Sequence, residues 1–155
     1  MSSMVFMRRA IALSREMLAR GGGPFGALIV KDGAVLAEGA NRVTVANDPT
    51  AHAEVVAIRE ACAKLGSFTL AGCEVYTSCE PCPMCLAAIY WARIERIYYA
   101  NQRTDAAAIG FDDDFLYHEI ALPPDQRRIP MTRLLADEAR DVFAAWQAKP
   151  DKVPY

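Results

Sequence analysis

Thr77-Ser78-Cys79-Glu80-Pro81-Cys82-Pro83-Met84-Cys85 lies between two readable elements and sets how they are joined. Before it, Glu74 to Ser78 is a short β-prone run. After it, Pro83 to Ala92 predicts a helix that is apolar on nearly every side, and therefore a buried one. Arg96 to Ala100, with Ile97, Tyr98 and Tyr99, returns as a strand. Strand, helix and strand in that order predict a right-handed crossover with the two strands parallel. The stretch thus ends a strand and opens a helix, where unpaired N–H groups and the positive dipole end favour thiolate over thiol. Cys82 and Cys85 fall in that opening turn.

Outward from this unit, Ala27-Leu28-Ile29-Val30 and Val35-Leu36-Ala37 predict a hairpin through Asp32-Gly33, since a tight type I′ turn needs positive φ at both central residues. Phe6, Ala10, Leu13 and Met17 share one face of a first helix that Gly21-Gly22-Gly23 stops. The four arginines and one acid between Met1 and Arg20 faintly resemble a mitochondrial presequence, but the amphipathic helix is the plainer reading. Asp48-Pro49-Thr50 predicts the opening of another helix, with an apolar stripe at Val55, Ile58, Cys62 and Leu65 and a stop at Gly66. Further on, a polar stretch, Asn101 to Phe111, leads to a helix near Asp113 to Ile120, broken by Pro123-Pro124. Pro130 to Leu135 is expected as a last strand. Asp137 to Lys149 is expected as a helix with Leu135, Ala139, Val142 and Trp146 on one face. No repeat, low-complexity tract or linker divides the chain. The expectation is one α/β domain over residues 1–155, in three layers with helices on both faces of a mixed sheet.

The chain has 155 residues, 53% hydrophobic and 23% charged, which is ordinary for a soluble globular enzyme. Seventeen basic and nineteen acidic side chains give a net charge of −2. No Lys/Arg run advertises a polyphosphate, which weighs against nucleic acid as a partner. No apolar stretch is long enough to span a membrane. Five cysteines, three of them within seven residues, suit metal binding in a reducing cytosol better than a disulfide framework, so a cytoplasmic location is expected.

His52 and Glu54, then Cys82 and Cys85, read His-x-Glu followed by Pro-Cys-x-x-Cys. That pattern is the signature of zinc-dependent nucleobase deaminases. One imidazole and two thiolates neutralise Zn²⁺ and leave a fourth corner open for water, as catalytic zinc requires; a structural zinc would take a fourth protein ligand. Two residues apart in a regular helix means roughly 200° of rotation, so His52 and Glu54 meet only where a helix points its first turn at the metal. Cys79 makes a second Cys-x-x-Cys pair with Cys82. A third thiolate would make the site anionic and fill the open corner, so Cys79 is read as a strand-end thiol beside the metal. Glu54 would then take a proton from zinc-bound water and hand it to a ring nitrogen as hydroxide attacks the neighbouring amino-bearing carbon. The non-enzymatic alternative is a small zinc-stabilised binding module.

The chain as a whole resembles the bacterial guanine deaminases of the cytidine deaminase superfamily. Pro24-Phe25-Gly26-Ala27, Asn47 to Glu54, Tyr76 to Cys85, Ala88 to Arg93 and Thr104-Asp105-Ala106-Ala107 carry the resemblance. The first three are shared in part with tRNA adenosine deaminases; Ser78-Cys79, Tyr90-Trp91 and Gly110-Phe111-Asp112-Asp113 with its long C-terminal extension lean toward guanine. The resemblance implies a cytidine-deaminase-like fold and hydrolysis of guanine to xanthine and ammonia. It implies zinc on His52, Cys82 and Cys85, with Glu54 as proton shuttle. It also implies Asn41 on the purine, Phe25 packed on the base, Trp91 lining the pocket, and Asp113 on the guanine edge or relaying the second proton. A homodimer exchanging C-terminal segments, about residues 136–155, is implied as well, with Tyr155 closing the pocket. The same chemistry on guanosine, cytosine, an aminotriazine or the wobble adenosine of tRNA remains the alternative.

Overall fold

The computed structural model describes residues 3–155. The elements are α1 (Ser3–Leu18), β1 (Gly26–Lys31), β2 (Ala34–Ala40), α2 (Val43–Ala46), α3 (Ala53–Leu65), β3 (Cys73–Cys79), α4 (Pro83–Trp91), β4 (Arg96–Asn101), α5 (Arg103–Ala108), α6 (Asp113–Ala121) and α7 (Ala136–Ala148), with a single 3₁₀ turn at Pro124–Gln126. They form two compact units, one ending at Tyr117 and the other His118–Tyr155. In the first, four strands in the order β2-β1-β3-β4 make a mixed sheet: β1 is antiparallel to both β2 and β3, and β3 and β4 are parallel. Asp32 and Gly33 take φ of 50° and 73°, the two left-handed residues that the β1–β2 turn requires.

The central strands are buried on both faces. Leu28, Val30 and Tyr76 pack on Phe6, Ala10 and Leu13 of α1. Ala27, Ile29 and Val75 pack on Ala53, Ala57 and Ala61 of α3 and Ile89 of α4. The layering is therefore α/β/α, as the element order predicts. The stripe on α3 is rotated from its expected place: alanines face the sheet, Ile58 and Cys62 flank them, and Leu65 is exposed. The cause is Gly39 of β2. A Cβ there would run into the carbonyl oxygen of Ala53 and stand 2.6 Å from the Ala57 nitrogen, so helix and strand approach at backbone distance and only alanine fits between.

Other expectations are corrected. α3 starts at Ala53, not at Asp48. Asp48 Oδ1 accepts from the Thr50 amide at 2.8 Å and the Thr50 hydroxyl at 2.7 Å, so Asp48-Pro49-Thr50 closes a turn on itself. The polar stretch after β4 contains α5, whose Asp105 carboxylate accepts from the Gln102 amide at 2.8 Å. Residues 130–135 form no strand; Pro130 has no N–H to give a ladder, and Leu135 turns left-handed at φ 49° to enter α7. α4 buries Cys85 and Ile89, but Tyr90 and Trp91 at its far end are 71% and 61% exposed. α7 forms, yet its apolar face is exposed too.

Gly39→Ala is expected to lower stability by roughly 1–3 kcal/mol, the usual cost of overpacking, because backbone rather than a movable side chain blocks the new methyl. An unchanged thermal midpoint would contradict the packing described.

Candidate active site

Both helices that face the sheet beside β3 present their N-termini to one point. His52 is the residue before α3 and Cys82 the residue before α4, each in extended backbone (φ −66°, ψ 155° and φ −65°, ψ 167°). Because His52 stands outside the helix and Glu54 in its first turn, the 200° separation of a regular helix does not apply to them. Pro83 follows Cys82 at a position where its missing N–H costs nothing, and Cys85 completes the turn.

His52 Nδ1 lies 3.5 Å from the sulfurs of both Cys82 and Cys85. A tetrahedral ion at ordinary Zn–N and Zn–S bond lengths would separate nitrogen from sulfur by about 3.5 Å, so the three donors already stand where zinc needs them. Among the described residues this trio, within 4.8 Å of one another, is the one His/Cys/Asp/Glu group that could hold a metal. Cys79 belongs elsewhere: its thiol donates to the Gln102 carbonyl at 3.7 Å, and burial first of all pushes its pKa up to about 12. It is a protonated thiol on the cavity wall.

The ligands are electrostatically coupled. The Cys85 thiol hydrogen bond and then the His52 imidazole hold Cys82 well below the ordinary thiol range. The hydrogen bond to Cys82 in turn raises His52 and, with burial, Cys85. To bind an ion the two thiols must give up their protons and the imidazole must be neutral.

The trio opens into a cavity of about 470 Å³, within the range of small-molecule sites. Glu54, buried, lines it; burial raises its pKa, partly offset by the Thr77 hydroxyl, which donates to Oε1 at 2.8 Å. Phe25 and Phe111 meet edge to face at 4.8 Å and form one wall. Asn41, also buried, accepts the Val43 amide on Oδ1 at 3.2 Å, leaving its Nδ2 without a partner among the described residues. Gly23 sits against that amide: a Cβ there would be 2.9 Å from Asn41 Cγ. Of the three adjacent aspartates, Asp113 lines the cavity, whereas Asp114 pairs with Arg103 at 3.4 Å. Burial and then the Cys82 charge raise the pKa of Asp113.

His52, Cys82, Cys85, Glu54, Asn41, Phe25 and Asp113 thus gather at one place. Trp91 lies outside the cavity, since α4 carries it two turns from the metal end, and Tyr155 is an exposed residue of the second unit. Sequence reasoning missed Thr77, Gly23, Glu80 and Phe111. For Gly23 a signal existed in the glycine run, which reads as a helix stop but also clears room for Asn41.

The guanine deaminase of Bacillus subtilis (strain 168) is 54% identical over 156 residues, covering 100% of both chains. The chain belongs to the guanine deaminase family. The family profile of the cytidine and deoxycytidylate deaminase zinc-binding region matches residues 2–101, which carry the whole trio, and the ion that fits it is zinc. The crystal structure of the Bacillus subtilis guanine deaminase superposes with a TM-score of 0.96, covering 100% of this chain and 99% of that one. A tRNA-specific adenosine deaminase of Agrobacterium fabrum is 45% identical over 104 residues, 67% of this chain and 68% of its own. A third of this guanine deaminase homologue is thus outside that match.

Because thiolate and neutral imidazole are the forms that bind zinc, zinc uptake is expected to release protons and to weaken as pH falls from neutral to mildly acidic. Competition with a chromophoric chelator measures this; affinity independent of pH would refute the charge assignment.

Proposed function

We propose that this chain hydrolyses guanine to xanthine and ammonia. The observation that carries the reading is the placement of buried Glu54 beside the zinc trio, on the same cavity as Asn41, Phe25 and Asp113. Deamination forms a C–O bond and breaks the exocyclic C–N bond at one ring carbon. Bound zinc supplies Lewis acidity that makes water ionisable near neutral pH. The carboxylate of Glu54 accepts the proton that water loses and delivers it to the ring nitrogen next to the amino-bearing carbon. It then carries the second hydroxyl proton to the departing amine, so that neutral ammonia leaves and the carbonyl of xanthine remains. A raised pKa suits a group that must be acid and base in turn.

Support for a guanine substrate comes from the lining. Among the described residues no lysine or arginine faces the cavity, while Glu54, Glu80 and Asp113 do. Guanine presents N–H and NH₂ donors that acidic acceptors satisfy, and Asn41 Nδ2 is available to an acceptor on the ring. A tRNA substrate would need basic residues for its phosphates, and guanosine would need room for a ribose.

The assembly is proposed to be a homodimer that exchanges its C-terminal segment, about residues 136–155, within one functional domain. Its support is that no described residue of His118–Tyr155 is buried, while Val142, Phe143 and Tyr155 are 67%, 76% and 73% exposed. An apolar helix left this open is ordinarily covered by something. A second copy would also cover Tyr90 and Trp91 and could bring Tyr155 to a cavity. Five unpaired cysteines fit a reducing cytoplasm, and no described helix is long and apolar enough to cross a membrane.

Ammonia release from guanine, guanosine, adenine, cytosine, an aminotriazine and tRNA is expected to be fastest with guanine. Glu54→Ala is expected to keep zinc and lose at least about a hundredfold in kcat. Faster turnover of another base would replace the substrate, and an active variant would remove Glu54 as proton carrier. Sedimentation is expected to give twice 17.0 kDa.

A further inference from the structure

Position 77 holds a hydroxyl where the sheet asks for none. Thr77 is in the middle of β3, paired with Ala27 of β1 and Tyr99 of β4, and is fully buried. On the same face of its strand stand Val75 and Cys79, with Ala27 alongside. Valine fills such a site with the same shape, and burying a hydroxyl there costs free energy unless it is hydrogen-bonded. The hydroxyl has one partner among the described residues: Oγ1 donates to Glu54 Oε1 at 2.8 Å. The neighbouring Ser78 points to the other face, where its Oγ accepts the Gly26 amide at 3.0 Å, so two adjacent hydroxyls serve different ends.

We propose that Thr77 is a positioning residue for the reaction: it holds one oxygen of the Glu54 carboxylate so that the other remains the proton carrier. The inference rests on the reading of Glu54 as that carrier. A carboxylate has a soft terminal torsion and two equivalent oxygens. Once Cys85 gives up its proton to bind zinc, Thr77 and the carboxylate's own backbone N–H are what hold it, and without Thr77 it is freer to rotate or to take its proton on either oxygen. Thr77 is suited to pin it, because its β-branched side chain is stiff at χ1 and its strand lies between two others. The bond comes from the sheet behind Glu54. The hydroxyl itself is fully buried and does not line the cavity, so it acts on the substrate only through the carboxylate.

The test compares Thr77→Val, which keeps the shape and removes the hydroxyl, with Thr77→Ser, which keeps the hydroxyl, in the zinc-loaded enzyme. Thr77→Val is expected to retain stoichiometric zinc and a KM for guanine within about twofold of the parent, while kcat falls about tenfold or more. Thr77→Ser is expected to recover most of kcat. If Thr77→Val turns over like the parent, if its loss matches lost zinc, or if serine fails to rescue it in folded, zinc-replete protein, the proposal is overturned. Glu54→Ala, measured alongside, separates the two levels. An inactive Glu54→Ala with a fully active Thr77→Val refutes only the positioning role. An active Glu54→Ala refutes the proton-carrier reading on which it stands.

Discussion

Two helices end on the same few cubic ångströms, and the rest of the molecule is arranged so that they can. The first turn of α3 and the first turn of α4 each bring a side chain from just before the helix and one from just inside it. The unpaired N–H groups there stabilise the negative charge of thiolate and carboxylate, whose burial would otherwise be costly. The sheet supplies the distance. Gly39 lets α3 lie at backbone contact with β2, and the parallel β3–α4–β4 unit places α4 beside it. The His52–Cys82–Cys85 spacing follows from that packing.

The cavity follows from the same constraint. A site at the carboxyl end of β3 opens between helix starts, which is where loops can reach it. The loop after α1 brings Gly23 and Phe25, the loop after β2 brings Asn41, and the start of α6 brings Asp113. Tyr117, one turn along α6 from Asp113, donates its hydroxyl to the Pro81 carbonyl at 2.7 Å, and Arg103 stacks over the Tyr117 ring at 4.6 Å. The aspartate is therefore tied to the very loop that carries Cys82. Displacing α6 would disturb the cavity wall and the loop of a metal ligand together.

What could be read from the sequence was what local chemistry decides. Cys-x-x-Cys after proline, Asp-Gly between apolar runs and glycine after α3 each name a backbone state that few other residues provide. Misreadings arose where two local signals look alike or where the deciding partner is remote. Asp48-Pro49-Thr50 resembles a helix cap but is satisfied by its own turn. The alanine face of α3 has little hydrophobic weight, so the larger Val55, Ile58, Cys62 and Leu65 drew the stripe, although closeness to Gly39 decides it. Thr77 carries no signal, because threonine is an ordinary strand residue and its partner is 23 positions away. The apolar flank of α4 predicted burial that a single chain does not provide.

The charge on this protein is nearly balanced overall, at −2, yet the cavity has three carboxylic side chains and, among the described residues, no lysine or arginine. Such a chamber works only if water is kept scarce, since bulk solvent would screen the carboxylates and compete for the ring donors. A neutral, donor-rich heterocycle can enter it without bringing charge, and can satisfy the acids as it displaces solvent. Two apolar surfaces, one on the second unit and one at the far end of α4, stand exposed in the single chain. An acid-lined pocket with no lysine or arginine among its described lining residues thus suits a neutral ligand rich in hydrogen-bond donors better than an anionic one.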